Sequence, residues 1–375
     1  MDHRARFALA DLCIAASALF GYVIVVFRDS LVPAHYSFDA GTIQRLGRSG
    51  LEVFGDASYG RVATIYRTLG VIDDRLFVGL VQYTAFLLTV GLVYLRYRDR
   101  SRPPSLVVGP VGALALIFGA VYMGTFSKDV FVLPVVLVAL TVRATVPGRL
   151  LAASAMIVYG AMFREYWFLV AALYFVFGLE SFIRANWRRK LVVTAISVVV
   201  VSVVFGIYYG VAPDSLRATA NAGRLDLGHA ESAITSYVGG PEPFAGAVNN
   251  LLAFLFLLIP LPLILKGSIH YLLVGPLLAA LWCRALVLQG ATSAPRVTDG
   301  AGREPDQVRH SMAVLFAFVV VQSLFEPDYG SAVRHLTPLL PLALVLLLQT
   351  RRVESPPRPR SHLLTRKGVA VNAQR

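Results

Sequence analysis

Apolar residues in this chain come in long unbroken runs, separated by short polar or charged turns. A helix needs about 20 apolar residues to cross a hydrocarbon core of roughly 30 Å. The runs 7–27, 76–95, 106–123 and 191–211 approach or meet that length. Runs 130–142 and 150–163 are shorter, and a helix of about 13 residues covers only about 20 Å. Further runs are 166–183, 250–265 (broken by Pro260 and Pro262), 269–288, 313–325 and 336–348. None alternates with period two, which speaks against a membrane β-barrel. The expectation is an all-α polytopic integral membrane protein of about ten spans, some short or re-entrant. One membrane domain, 1–350, carries outer polar segments 28–75 and 212–249. A basic, disordered cytoplasmic tail, 351–375, follows.

Composition agrees. The chain is 56% hydrophobic and 15% charged, where soluble domains carry roughly 25% charged residues. Its mean hydropathy is +0.65. The formal net charge of +13 raises nucleic acid as a partner, since basic patches bind phosphates. The arginines, however, cluster in short loops beside apolar runs, at 96–102, 184–190 and 351–367. That is the positive-inside pattern, so the chain reads as a membrane protein with no nucleic-acid role. The N-terminus, those loops and the tail are expected inside. Parity then requires 250–265 to be re-entrant or interfacial. Asp11 interrupts the first apolar run, which favours an uncleaved first helix over a signal peptide. Cys13 and Cys283 both lie in apolar runs and suggest neither a disulfide framework nor a cysteine metal site.

With this topology the unusual charges gather on the outer side. If the short helices start at the cytoplasmic surface, Lys128-Asp129 and Arg164-Glu165 stop below the outer surface, in a polar recess. Charges at that depth persist only in protein or in a water-filled cavity. The segment 325–335, Phe-Glu-Pro-Asp-Tyr-Gly-Ser-Ala-Val-Arg-His, places Glu326, Asp328, Arg334 and His335 between two apolar runs. Asp29, Asp39, Asp56, Arg224, Asp226 and His229 join them in the outer segments. Arg164 and Arg334 suit bidentate grip of phosphate oxygens, with Lys128 as a point charge and Asp328 as a substrate-binding partner. Asp39, Asp129 or Glu326 can act as base toward a sugar hydroxyl, and His335 as acid or base. Arg334 is expected at the N-terminus of the final helix, where backbone N–H groups favour an anion. No cofactor or metal is required, although Glu326 with Asp328, or Asp73 with Asp74, can hold a divalent cation.

The turns Thr125-Phe126-Ser127-Lys128-Asp129 and Phe163-Arg164-Glu165-Tyr166-Trp167, with the acidic loop ending at Arg334-His335, resemble Wzy-type bacterial polysaccharide polymerases of the EpsG group. The resemblance covers the layout of most of the chain. It implies polyprenyl-diphosphate-linked sugars as substrates, other polysaccharide-assembly proteins as partners, and an active site on the outer face of the inner membrane. It also implies essential outer-facing arginines, matched here by Arg164 and Arg334. The chain also resembles polyprenyl-phosphate-sugar glycosyltransferases of the GT-C type, whose acidic pair is represented only by Asp39. A transporter or flippase would instead gather charges at the midplane of two related halves, and no such halves are visible. A scaffold for an envelope complex would need no buried charges.

Overall fold

The computed structural model describes residues 3–50, 57–98, 106–225, 232–267, 269–288 and 304–348. The tail 351–375 and residues Asp56, Asp226 and His229 lie outside the described residues, as does most of the 96–102 loop. The described residues are helical. They contain no β-strand, only an isolated bridge between Ala233 and Asp328.

In chain order the helices are α1 (His3–Val26), α2 (Arg28–Leu31), α3 (Phe38–Ser49), α4 (Ala57–Thr68), α5 (Arg75–Tyr97) and α6 (Val108–Phe118). They continue as α7 (Leu133–Thr141), α8 (Val146–Met162), α9 (Trp167–Phe177), α10 (Glu180–Ile183), α11 (Trp187–Tyr209) and α12 (Ser215–Leu225). The last are α13 (Phe244–Leu258), α14 (Leu261–Leu265), α15 (Ile269–Val287), α16 (Glu304–Phe325), α17 (Tyr329–Leu336) and α18 (Leu340–Leu348). Among the described residues five segments are long and apolar enough to cross a membrane: Ala5–Val26, Arg75–Tyr97, Trp187–Tyr209, Asp306–Phe325 and Tyr329–Leu348. Six further apolar helices are shorter, among them Asp129–Thr141 and Val146–Met162.

Local chemistry sets several boundaries. The Asp74 carboxylate accepts the Phe77 N–H at 2.8 Å and starts α5. Asn186 does the same for α11 through the Arg189 N–H at 2.9 Å. Such caps satisfy donors that the first helical turn leaves open. Gly50 closes α3 with φ +66, a left-handed cap that glycine adopts without strain.

Four runs differ from the sequence expectation. The polar segment 28–75 is largely helical in its described residues: α3 and α4 are amphipathic, burying Ala40, Ile43 and Gly47 on one and Ser58, Val62, Ala63 and Tyr66 on the other. Their short apolar stripes lack the density of a span. The 166–183 run breaks at Gly178 and Leu179 into α9 and α10. The 313–325 run starts earlier, at Glu304, because a polar turn of helix precedes its apolar body. The last run starts at Tyr329, not 336, and passes through a 3-10 turn at Thr337–Leu339 where Pro338 cannot donate an amide hydrogen bond.

Helices α16, α17 and α18 form the centre. The apolar windows of Asp306–Phe325 and Tyr329–Leu348 are 89% and 83% buried, against 22% for Trp187–Tyr209. A helix that is apolar all round sits in a protein core or in a membrane, and these two sit in the core. By contrast α11 buries one stripe, Lys190, Thr194, Val198, Ser202 and Gly206, and turns the rest of its apolar surface outward. The charged turn 326–335 therefore joins the two most enclosed segments. Around this centre α9 packs on α16, α5 on α18, and α1 on α6. A close approach fixes the 124–128 turn: a Cβ on Gly79 would lie 2.5 Å from the Gly124 carbonyl oxygen. The Tyr66 hydroxyl holds the same turn by donating to the Ser127 carbonyl at 2.9 Å.

Both ends of the α13–α14 unit lie at the end of the bundle that carries Tyr329. Asn249 donates to Asp214 at 3.0 Å and accepts from the Tyr237 N–H, and the Tyr237 hydroxyl meets that of Tyr329 at 2.9 Å. Helix α14 then folds back on α15, whose Tyr271 faces the same cleft as Tyr329.

Candidate active site

Arg334 stands at the centre of a charged cluster that four separate segments assemble. Its Nη1 pairs with Asp39 Oδ2 at 2.9 Å, and its Nε lies 3.5 Å from Asp129 Oδ2. Arg164 Nη2 donates to Asp129 Oδ1 at 2.8 Å. One carboxylate, 4% exposed, is thus shared by two guanidinium groups. Lys128 Nζ lies 3.2 Å from Ser58 Oγ and 3.8 Å from the centre of the Tyr59 ring. The Tyr59 hydroxyl donates to Asp39 Oδ1 at 2.7 Å. Asp39, Lys128, Asp129, Arg164, Glu326, Arg334 and His335, expected on the sequence to form a site, therefore come together.

The imidazole of His335 is oriented by its neighbours. Its Nδ1 is 2.7 Å from Glu326 Oε2, and its Nε2 is 3.1 Å from Arg334 Nη2. A guanidinium has no acceptor. Nε2 must therefore be the acceptor and Nδ1 must carry the proton, donated to Glu326. A carboxyl on Nδ1–H that leaves the lone pair on Nε2 orients the ring as in a general base, and Arg334 Nη2 donates to that lone pair.

Two carboxyls are tuned in opposite directions. Burial pushes Glu326 up to about 8, with the nearby Asp328 charge adding to the effect, and Arg164 and Arg334 only partly offset it. Near neutral pH burial thus favours the protonated form of Glu326, with Oε2 accepting from His335 Nδ1–H. Burial alone would raise Asp39 as well, but Arg334 and Lys128 beside it hold it below the usual carboxylate range. One acid kept neutral and one kept charged is a division of labour seen where environment separates two carboxyls.

The cluster leaves polar atoms over. Arg164 Nε and Glu326 Oε1 are buried with no hydrogen-bond partner, and Arg334 Nε makes only the long ion-pair contact to Asp129 at 3.5 Å. A buried polar group without a partner costs about 1–3 kcal/mol. A network that served only to tie helices together would gain by closing these donors. Arg334 is also the most open member, at 25% side-chain exposure. Unmet donors around an accessible arginine suit an oxygen-rich anionic ligand.

Two expected positions take other roles. Asp328 is the N-cap of α17: Oδ1 accepts the Ser331 N–H at 2.7 Å and Oδ2 the Ser331 hydroxyl at 2.7 Å. Its place is local because an Asp three residues before a Ser satisfies the first turn of the helix. Arg334 in turn lies in the last turn of α17, so the expected anion site at a helix N-terminus is corrected: its end is already capped by Asp328, and Arg334 acts through its side chain. Glu165 is exposed, and Asp29 pairs with Arg75 at the surface. Asp73 pairs with Arg48, and Asp74 caps α5. Among the described residues no three His, Cys, Asp or Glu side chains gather as a cation site would need.

The sequence reading missed Tyr59 and Ser58, which α4 brings over Lys128. It also missed Arg217, 1% exposed. Arg217 donates to the Ser323 carbonyl at 2.9 Å and to Asn250 Oδ1 at 2.9 Å. A cation on the last carbonyls of a helix is favoured by its dipole, so Arg217 fixes the end of α16 one turn before Glu326. Asn221 adds a bond to the Pro327 carbonyl at 2.8 Å. The available signal was an apolar spacing around polar residues in α12, easily taken for a solvated segment. No family model, curated protein or solved structure matches the chain.

Proposed function

We propose that the chain is a membrane glycosyltransferase of the polymerase kind, acting on polyprenyl-diphosphate-linked sugars in cell-surface polysaccharide assembly. In this reading the Arg334 end of the bundle faces the outside of the inner membrane and α13–α14 is re-entrant. The observation that carries it is the Arg334 cluster: two guanidinium groups with unmet donors beside a His335 base oriented by Glu326.

The step follows from those positions. The donor's diphosphate seats on Arg334 and Arg164, with Lys128 adding positive charge. The Arg334 fork, drawn to phosphate oxygens, gives up its bond to His335 Nε2. The freed Nε2 takes the proton of an acceptor sugar hydroxyl, and that oxygen bonds to the donor's anomeric carbon. The bond from that carbon to the phosphate oxygen breaks, and polyprenyl diphosphate leaves with the electron pair. Fixed positive charge stabilises the departing diphosphate most where water is excluded. Asp39 and Asp129 hold the cations in place.

Arg164→Lys tests the diphosphate role. Lysine keeps the charge but loses the planar fork, so the rate of transfer by purified protein should fall about a hundredfold. Arg98→Lys is the control. Arg98 is likewise an arginine paired with one carboxylate, Asp11, at 2.9 Å, but it lies away from the cluster, and its variant should transfer at the normal rate. Equal rates in both variants would make Arg164 a helix anchor only.

A further inference from the structure

Two arginines outside the Arg334 cluster stand together at the end of two membrane-length helices. Arg28 lies just after the apolar segment Ala5–Val26, and Arg75 opens the segment Arg75–Tyr97. The two helices, α1 and α5, pack on each other. Ser37 Oγ accepts from both guanidinium groups, from Arg75 Nη2 at 3.0 Å and from Arg28 Nε at 3.4 Å. The pair therefore lies where both helices leave the hydrocarbon.

The charge of this pair is not enclosed by acids. Arg28 is 4% exposed, and its hydrogen bonds among the described residues go to neutral acceptors: Ser37 Oγ, the Ala120 carbonyl at 3.3 Å and the Tyr36 carbonyl at 3.4 Å. These are long, since N–H···O bonds usually measure about 2.9–3.0 Å. Burial and the neighbouring Arg75 charge push Arg28 down to about 10, and Asp29 only partly offsets them. Arg75 is the accessible member, at 30% side-chain exposure. Its Nε donates to Thr125 Oγ1 at 3.0 Å, which fixes the plane of the fork. Its Nη1 pairs with Asp29 at 3.0 Å, but that carboxylate is 85% exposed. By contrast, Arg334 and Arg164 hold the enclosed carboxylates of Asp39 and Asp129.

The flanks are apolar and exposed: Phe27 and Leu31 beside Arg28, Leu76 and Phe77 beside Arg75. A lone arginine at such a boundary reaches lipid head groups by snorkelling. Here protein groups hold two side by side, with one exposed acid in front. We infer that Arg75, backed by Arg28, holds the phosphate of an anionic bilayer phospholipid, with Asp29 displaced from the fork and the acyl chains against those apolar flanks. Charge complementarity selects this occupant. The planar fork matches phosphate oxygens, and a second cation behind it disfavours a head group with its own positive charge. The inference is independent of the chemistry at Arg334.

Native mass spectrometry of the full chain in detergent tests it, with dioleoylphosphatidylglycerol as probe and dioleoylphosphatidylcholine as the zwitterionic control. The first should bind about tenfold more tightly, the scale of one charge-assisted contact. Asp29→Asn frees the fork and should tighten phosphatidylglycerol binding about twofold to fivefold, the worth of an exposed ion pair. A gain of this kind does not come from misfolding. Asp73→Asn removes the same charge from another exposed pair, that with Arg48, and should leave binding unchanged. Arg75→Gln should weaken binding about tenfold. Equal binding of the two lipids, or equal effects of Asp29→Asn and Asp73→Asn, overturns the proposal. Displacement of phosphatidylglycerol by an equal concentration of inorganic phosphate would make this a site for free anions and overturn the lipid assignment. Tighter binding of undecaprenyl diphosphate than of phosphatidylglycerol would make it a second substrate site and overturn the assignment as well.

Discussion

Arg334→Ala should abolish sugar transfer. The substitution removes the partner of Asp39 and one of the two guanidinium groups on Asp129. Losing one preorganised charged donor costs about a hundredfold to a thousandfold in rate. It also leaves two enclosed carboxylates short of positive charge, and breaking a buried pair destabilises by about 3–5 kcal/mol. Poor folding alone would then lower activity, so Arg334→Lys is the companion. Lysine can still pair with Asp39, and the protein should insert and elute as the wild type does. It cannot offer a fork to a diphosphate while Asp39 holds it, so transfer should remain lost. Normal transfer in either variant would remove the ground for an enzyme.

Glu326→Gln should have the second-largest effect. Glutamine can accept from His335 Nδ1–H as the neutral acid does, but it cannot ionise to balance the imidazolium that forms when Nε2 takes a proton. Loss of an oriented base costs about a hundredfold or more. Stability moves the other way with pH. Glu326 is raised to about 8 from an ordinary carboxyl value of 4.5, so the folded chain holds a proton that the unfolded chain has released. That contribution is full below pH 4.5 and is lost as pH rises toward about 8. The melting midpoint of the wild type should therefore fall over this window, and Glu326→Gln should flatten the fall. A wild-type midpoint independent of pH, with normal transfer in Glu326→Gln, would leave Glu326 a packing residue.

Much of the site was legible because charges are conspicuous in an apolar chain. Lys128, Asp129, Arg164, Glu326, Arg334 and His335 interrupt apolar runs, and each ends in the cluster. Asp39 was legible only as a chemical type. Its position depends on α3 lying across the end of the bundle, and the short stripe Ala40, Ile43, Gly47 carries too little apolar content to announce that. The role of Asp328 was readable in principle from Asp328 and Ser331, which match a helix start. The strength of Pro327 and Gly330 as turn signals hid it, and the same error placed Arg334 at the head of its helix. Arg217 was hidden for a different reason: only tertiary packing of α12 against α16 encloses it. The breaks at Gly178 and Thr337 show the limit of apolar content as a guide, since a run stays apolar through a cap or a 3-10 turn.

Bond formation at the cluster differs measurably from mere passage of a lipid-linked glycan across the membrane. Wild-type protein in lipid nanodiscs, supplied with one kind of polyprenyl-diphosphate-linked repeat unit, tests it by intact mass. The product should be a glycan lengthened by whole repeat units on a single lipid, with one polyprenyl diphosphate released for each bond formed. An unchanged donor mass, together with protein-dependent movement of that donor between the leaflets of sealed vesicles, would contradict it.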